Sequence, residues 1–195
     1  MDSSDPQFWN SRYLSGQTPW DLKRVPPALA GYLKQVGETG IVLLPGCGMG
    51  YEVRAFHDVG WQPLAIDFSP AAVARAREVL GPLAPLVRQA DFFSDDIKGP
   101  FDLIYERAFL CALPPHRWPE YVARMVQLLR PGGMLAGFFY YGTDPDGPPF
   151  PIAADQATRL FASFDLREDR AIPPEQSIPL QAGYERWQEW HLRPL

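Results

Sequence analysis

Three short stretches carry residue types that could bind and position a reacting group. In "IVLLPGCGMGYEV", residues 41 to 53, an apolar run breaks into Gly46-Cys47-Gly48-Met49-Gly50. Glycines placed straight after a strand let the backbone come close to a ligand. Tyr51 and Glu52 follow Gly50, where a phosphate-binding loop needs a Lys and a Ser or Thr, so the chemistry argues against a triphosphate. The spacing GxGxG also brings the third glycine one position earlier than the dinucleotide fingerprint GxGxxG. The second stretch ends in Asp67, about 20 residues beyond the first glycine, where an acid can accept both hydroxyls of an adenosine ribose. The third is Asp91-Phe92-Phe93, a carboxylate for an exocyclic amine beside aromatic faces for a purine.

A ribose acid and an adenine clamp without phosphate apparatus describe S-adenosylmethionine. Each piece has a plainer alternative: Asp67 could cap a turn, and Phe92 and Phe93 could be core. Their position at the tips of three successive strands favours the ligand. The product of such a reaction is S-adenosylhomocysteine. Trp9, Tyr13 and Trp20 precede the first strand, in a segment that reads as having no strand or long helix of its own. Aromatic faces attract a sulfonium cation, at roughly 0.5 to 2 kcal/mol per ring. The segment is therefore expected to fold over the cofactor as a lid that excludes water.

If such a cofactor gives up its methyl group, an acceptor that is already nucleophilic needs orientation and desolvation more than a strong base. The chain offers no Ser/His/Asp set; His57 falls in an ordinary helix, and His116 follows Pro114-Pro115 near a strand end. Arg107 could favour an anionic nucleophile, or pair with Glu106 or another acid. Tyr140 and Tyr141 end a long strand, and since side chains alternate, one of them is expected to wall the acceptor pocket. Cys111 reads as a small buried apolar residue.

The elements that must hold these groups alternate. "IVLLP", "QPLAID", "APLVRQ", "FDLIYE" and "MLAGFFYY" read as strands. Between them, "YEVRAFHDVG" puts Val53, Phe56 and Val59 on one helical side, with Gly60 at its end. "DFSPAAVARAREVLG" has Ser69 as N-cap, Pro70 at the first helical position and Gly81 as terminator. "PEYVARMVQLLRPGG" places Tyr121, Met125, Leu128 and Leu129 on one face, with Pro131-Gly132-Gly133 ending the helix. A helix near "AADQATRLFAS" precedes "FDLREDRAI" and "YERWQEWHL", which read as an antiparallel pair at the sheet's edge. Such alternation predicts right-handed crossovers and a mostly parallel sheet, with ligands bound beyond the strand ends where strand order reverses.

The chain has 195 residues with a net charge of -5, and shows no Lys/Arg stripe of the kind that tracks nucleic acid or an anionic membrane. It opens without the apolar core of a signal peptide and has no stretch of membrane-spanning length. A cytoplasmic monomer acting on a small-molecule methyl acceptor is the expectation. Cys47 and Cys111 are expected as free thiols, and no metal site is foreseen.

"LLPGCGMGYEV", "AIDFSPAAV", "ADFF" and "FDLIYERAFLCALPPHRWPEYVARMVQLLRPGG" resemble the class I methyltransferases, specifically the thiopurine S-methyltransferase family with its halide and thiol branch. "FWNSRYLSGQTPWD", "YYGTDPDGPPF" and "SIP" extend the likeness over nearly the whole chain. The resemblance implies a Rossmann-like seven-stranded mixed α/β sheet with helices on both faces and its last strand antiparallel. One domain would span residues 1–195, with 1–35 as lid and 41–195 as core. It implies transfer to a soft nucleophile, a thiol first, with halide, selenium or thiopurine acceptors as alternatives. A non-catalytic cofactor-binding module and an NAD-dependent reductase are readings of other classes.

The resemblance assigns Trp9, Tyr13 and Trp20 to the lid, Gly46 and Gly48 to the methionine-binding loop, and Asp67 and Phe68 to the ribose. Asp91 and Phe92 fall at the adenine, and Arg107 lies by cofactor and substrate, as in the thiopurine branch. "TPWD" and "DGPPF" lean toward the halide and thiol branch, so the chain mixes features of both. Related loops hold the cofactor's ammonium with an acid two residues before the first glycine. Here that position is Leu44, and loop carbonyls with the aromatic segment are expected to take over.

Overall fold

The apolar runs of the sequence become the middle of one sheet. In the computed structural model, which describes residues 2–94 and 96–194, Ile41–Pro45 forms β1 and Gln62–Asp67 forms β2. Val87–Gln89 forms β3, Phe101–Arg107 β4, Leu129–Tyr140 β5, Phe164–Ala171 β6 and Glu185–Leu192 β7. Met1, Asp95 and Leu195 lie outside the described residues, and with them both end residues of the unit expected over 1–195. The strand order is β3-β2-β1-β4-β5-β7-β6. The first five strands run parallel, while β7 lies antiparallel between β5 and β6. The expected edge pair is thus refined: β7 is interior, and β6 is the edge strand on that side, opposite β3.

The described residues form six α-helices: α1 (Pro6–Ser15), and, against the sheet, α2 (Pro27–Gln35), α3 (Tyr51–Asp58), α4 (Pro70–Leu80), α5 (Trp118–Leu128) and α6 (Ala154–Leu160). Alternation along each strand feeds two separate cores. Val42, Leu44, Leu103 and Phe138 face α2, α3 and α4, whereas Leu43, Ile104, Leu135 and Phe139 face α5 and α6. A sheet buried on both faces needs near-continuous apolar strands, and β1 supplies one.

Local chemistry accounts for the helix ends. The Ser69 side chain accepts from Ala72 N and caps α4, with Pro70 in its first turn and Gly81 closing it. Four expectations need correction. The N-terminal segment is helical: the Asp5 side chain accepts from Gln7 N, Pro6 starts α1, and Gly16 ends it in the left-handed region at φ 71°. The strand read over "APLVRQ" shrinks to three residues, because Gly81–Leu86 with Pro85 inside winds as a 3-10 turn. Pro131-Gly132-Gly133 does not terminate α5; the helix stops at Leu128, and these residues lie in β5, where the register against β4 shifts. Val59 lies past the end of α3 and is exposed.

The α1 helix lies outside the sheet and is pinned to α4. Asn10 Oδ1 accepts from Ser69 Oγ at 3.1 Å and from Ala71 N at 3.0 Å. It thereby satisfies first-turn donors that α4 cannot pair within itself. Among the described residues, no helix is long and apolar enough to cross a membrane.

Candidate functional site

Strand order reverses between β1 and β4, and the carboxyl ends of β1 to β4 open there on a cavity of about 340 Å³. That is within the size range of small-ligand pockets. From the β1 side, Gly46 at φ 59° and Gly48 at φ 51° enter the wall in a conformation that L side chains resist. A Cβ on Gly46 would lie 2.6 Å from the Phe109 ring, and one on Gly48 would lie 2.8 Å from the Tyr13 hydroxyl. Both positions are closed to larger residues by conformation and by space.

Asp67 ends β2 and is buried. Its Oδ2 accepts from Gly48 N at 3.1 Å and its Oδ1 from Ser69 N at 2.9 Å. Burial pushes its carboxyl up to about 6, against the backbone N–H groups of Ser69, Gly48 and Phe68, which pull it down. Phe68 lines the same wall. Beyond β3, Asp91 Oδ1 accepts from Phe93 N at 2.9 Å, and the Phe92 ring stands edge-on to Phe93 and Phe109 at 5.1 and 5.3 Å.

Over this floor lies the N-terminal aromatic set. Trp9 and Trp20 meet edge-on at 5.2 Å, Tyr13 and Trp20 at 5.8 Å, and Trp20 Nε1 donates to the Tyr13 hydroxyl at 3.3 Å. The helix accounts for the pairing: Trp9 and Tyr13 are one turn apart on α1, and the following loop folds Trp20 back between them. Burial, with Asp67 nearby, pushes the Tyr13 phenol well above its usual range, so it stays neutral.

At the β4 end, Arg107 Nη1 donates to Glu185 Oε1 at 2.6 Å, and its guanidinium carbon sits 4.1 Å from the Phe138 ring centre. The ion pair is with Glu185 and not with the neighbouring Glu106. Glu106 is buried and turned away: its Oε1 accepts from Phe109 N and Leu110 N, and its Oε2 from the Tyr121 hydroxyl at 2.6 Å. Burial raises its carboxyl to about 7. It fixes the turn after β4, from which Ala108, Phe109, Cys111 and Ala112 reach the cavity.

The structure therefore gathers Trp9, Tyr13, Trp20, Gly46, Gly48 and Asp67 around one space, together with Phe68, Asp91, Phe92 and Arg107. It does not bring Tyr140 and Tyr141 there. The continuation of β5 along β7 holds them away: Tyr141 N donates to Tyr184 O, the Tyr141 hydroxyl donates to Gln188 Oε1 at 3.1 Å, and Tyr140 pairs with Glu185 across the ladder. The expectation that one of them walls the acceptor pocket is not met. His57 and His116 are both exposed and line no part of it; Arg117, next to His116, does, stacked 3.8 Å over Phe93. Cys47 and Cys111 are free thiols on the wall, both pushed upward by burial.

Sequence reasoning missed Asp21, Glu52 and Tyr105, which also line the cavity. Glu52 was visible directly after the glycine loop but spoke only against phosphate there.

These groups suit S-adenosylmethionine. The buried Asp67 carboxylate has lone pairs left for two hydroxyls, and the Tyr105 hydroxyl and Arg107 Nη2 are buried without a hydrogen-bond partner, which leaves them free for a polar ligand end. Seven strands in this order, with that cavity at the switch point, define a Rossmann-like S-adenosylmethionine-dependent methyltransferase. Residues 4–192 match the family described as thiopurine S-methyltransferase, and the chain belongs to that family.

Relatives include a probable thiol methyltransferase 2 of Arabidopsis thaliana, 29% identical over 97% of this chain and 87% of its own length. A thiocyanate methyltransferase 1 of the same plant is 28% identical over 93% of this chain and 83% of its own. A thiopurine S-methyltransferase of Vibrio cholerae is 28% identical over 95% of each. Among solved structures, the fold matches a Burkholderia thailandensis 1,6-didemethyltoxoflavin-N1-methyltransferase with bound S-adenosylhomocysteine. That match has a TM-score of 0.77 at 18% identity, over 96% of this chain and 87% of the other.

The tightness of the glycine loop has a measurable consequence. Gly46→Ala should cost about 1 to 2 kcal/mol from the left-handed backbone alone, a melting-temperature drop of roughly 2 to 8 °C for a chain of this size. An unchanged melting curve would mean the loop is not held as described.

Proposed function

We propose that the acceptor is a small thiol, methylated on sulfur by in-line displacement. The observation that carries this reading is the character of the wall beside Arg107. Glu185 neutralises the guanidinium, and Cys111, Ala112, Leu113, Ile178 and Leu180 make the adjoining surface apolar and uncharged. A hydrated halide entering there loses water with little return, whereas a thiol carrying an apolar group gains burial. The named thiol and thiopurine relatives support the same class.

S-adenosylmethionine supplies an electrophilic methyl on a cationic sulfur. The chain's residues bind and orient. Asp67 accepts the ribose hydroxyls, with Phe68 packed beside them. Phe92 and Asp91 take the adenine, and Gly46 and Gly48 give the loop its close approach. Trp9, Tyr13 and Trp20 close over the sulfonium side, so that residues 1–35 act as a lid on the core within one domain. The Arg107–Glu185 pair borders the acceptor's seat without net charge, and no histidine among the described residues lines the cavity to act as base. A thiolate needs none.

Incubation with labelled cofactor and a panel of benzenethiol, bisulfide, thiocyanate, iodide and a thiopurine tests the acceptor class. The aromatic thiol should turn over at least about tenfold faster in kcat/KM than iodide, a difference of about 1.4 kcal/mol in transition-state binding. Iodide or thiocyanate as the preferred acceptor would overturn the thiol reading while leaving the methyltransferase intact.

A further inference from the structure

The N-terminal aromatic set is fastened to the core through a single side-chain atom. Among the described residues, two hydrogen bonds run from residues 2–22 to the rest of the chain, and both end on Asn10 Oδ1. It accepts from Ser69 Oγ at 3.1 Å and from Ala71 N at 3.0 Å. Other side chains of the segment bond within it: Trp9 Nε1 donates to Ser3 O, Arg12 Nη1 to Phe8 O, and Trp20 Nε1 to the Tyr13 hydroxyl. Asn10 follows Trp9 directly and precedes Tyr13 by about one turn of α1, so whatever fixes it fixes both rings. The next tie along the chain is Arg24 Nη2, which donates to Glu175 O at 3.4 Å. Just before it, Lys23 turns the backbone through the left-handed region at φ 54°, its N–H bonded to Asp21 Oδ1 at 2.7 Å. A residue other than glycine resists that conformation. The segment thus has one set bend at its far end and one fastening in its middle.

The partner of that fastening also serves the acid at the end of β2. Ser69 is buried; its N–H donates to Asp67 Oδ1 at 2.9 Å, and its hydroxyl accepts from Ala72 N at 3.2 Å while donating to Asn10. Asp67 and α1 are therefore joined through one serine. Asn10 itself lies outside the cavity wall. We infer that Asn10 is a latch, a positioning residue whose hold on the first turn of α4 keeps Trp9 and Tyr13 over the cavity and sets how long the cofactor stays bound. The physical reason is that the two bonds exist only while α1 is docked. Without the acceptor, a docked α1 would cover the Ser69 hydroxyl and the Ala71 N–H with nothing to receive them, whereas an undocked one leaves them to water. Loss of the latch therefore favours the open segment, from which the cofactor leaves. This inference rests on the reading of residues 1–35 as a lid.

Stopped-flow release of S-adenosylhomocysteine from the full chain tests it, beside the melting temperature of the ligand-free protein. Asn10→Ala, which keeps a good helix former on α1, should release the ligand about fivefold faster or more. Its melting temperature should stay within about 5 °C of the unaltered chain. Asn10→Asp retains an oxygen acceptor of the same reach at the N-terminus of α4, where negative charge is favoured, and should bring the release rate back to within about twofold. An unchanged release rate in Asn10→Ala, or equally fast release in both variants, would overturn the latch. Trp20→Ala separates this from the lid reading. Faster release in that variant with no change in Asn10→Ala removes the latch and leaves the lid, whereas unchanged release in both removes the lid itself.

Discussion

A chain lacking residues 1–21 is expected to keep its sheet and lose its cofactor. The deletion removes α1 and the loop after it, which lie outside the sheet, and with them Trp9, Tyr13 and Trp20. At roughly 0.5 to 2 kcal/mol for each aromatic face toward a cation, three faces together correspond to a loss of affinity for S-adenosylmethionine of about tenfold at the least and more than a thousandfold at the upper end. The fold loses the Asn10 cap on α4, worth about 1 kcal/mol, so the melting temperature should fall by only a few degrees and the far-ultraviolet dichroism should keep its mixed character. Trp20→Ala, which leaves α1 in place, should weaken binding by about tenfold. Full affinity in the truncated chain would end the lid reading.

The second large effect is on pH. An aspartate ordinarily titrates near 3.8, and Asp67 is pushed up to about 6 by burial. Holding it ionised in the folded chain therefore costs about 3 kcal/mol. Below pH 3.8 the group is neutral in folded and unfolded chains alike and the cost vanishes. As pH rises from there to about 6 the unfolded chain ionises first, so this residue's contribution to stability falls and then stays low.

Cofactor binding runs the other way. Ribose hydroxyls donate to the carboxylate, so affinity should be flat above about pH 6 and fall close to tenfold per pH unit below it. Tyr13 and Cys47 face the group but stay neutral throughout that window, and so do not contribute to the slope. Asp67→Asn should flatten this dependence, weaken binding at pH 7.5 by on the order of a hundredfold, and leave the melting temperature at neutral pH unchanged or higher. An affinity that does not change between pH 7.5 and 5, measured by equilibrium titration, would remove Asp67 from the ribose.

Much of this was open to reading in the sequence because it is local. Ser69, Pro70 and Gly81 bound α4 through capping that spans a few residues, and β2 runs over the residues of "QPLAID". Ten of the twelve expected site residues line the cavity because strand tips converge in any sheet of this order. What escaped depends on partners distant in sequence or on signals too weak by themselves. The α1 helix buries only Phe8 and Tyr13, too few for a periodic stripe, although Asp5-Pro6 at its start and Gly16 at its end were available as stop and start signals. Arg107 is matched with Glu185, 78 positions away, and no spacing rule reaches that far. Tyr140 and Tyr141 failed because their direction is set by β7, a strand that joins the ladder from the far end of the chain.

The two margins of the sheet share a property that matters outside the active site. On one side β3 is only three residues long. On the other, β6 is exposed over most of its length and alternates charges, with Arg167 near Asp165, Arg170 near Glu168 and Arg186 of β7 bonded to Asp169. An open row of backbone N–H and C=O groups is a template for a stranger's strand, and brevity or charge is what blunts it. Neither margin here is long and apolar, so neighbouring chains find no strand to extend, and the aromatic cargo of this sequence stays inside its own fold.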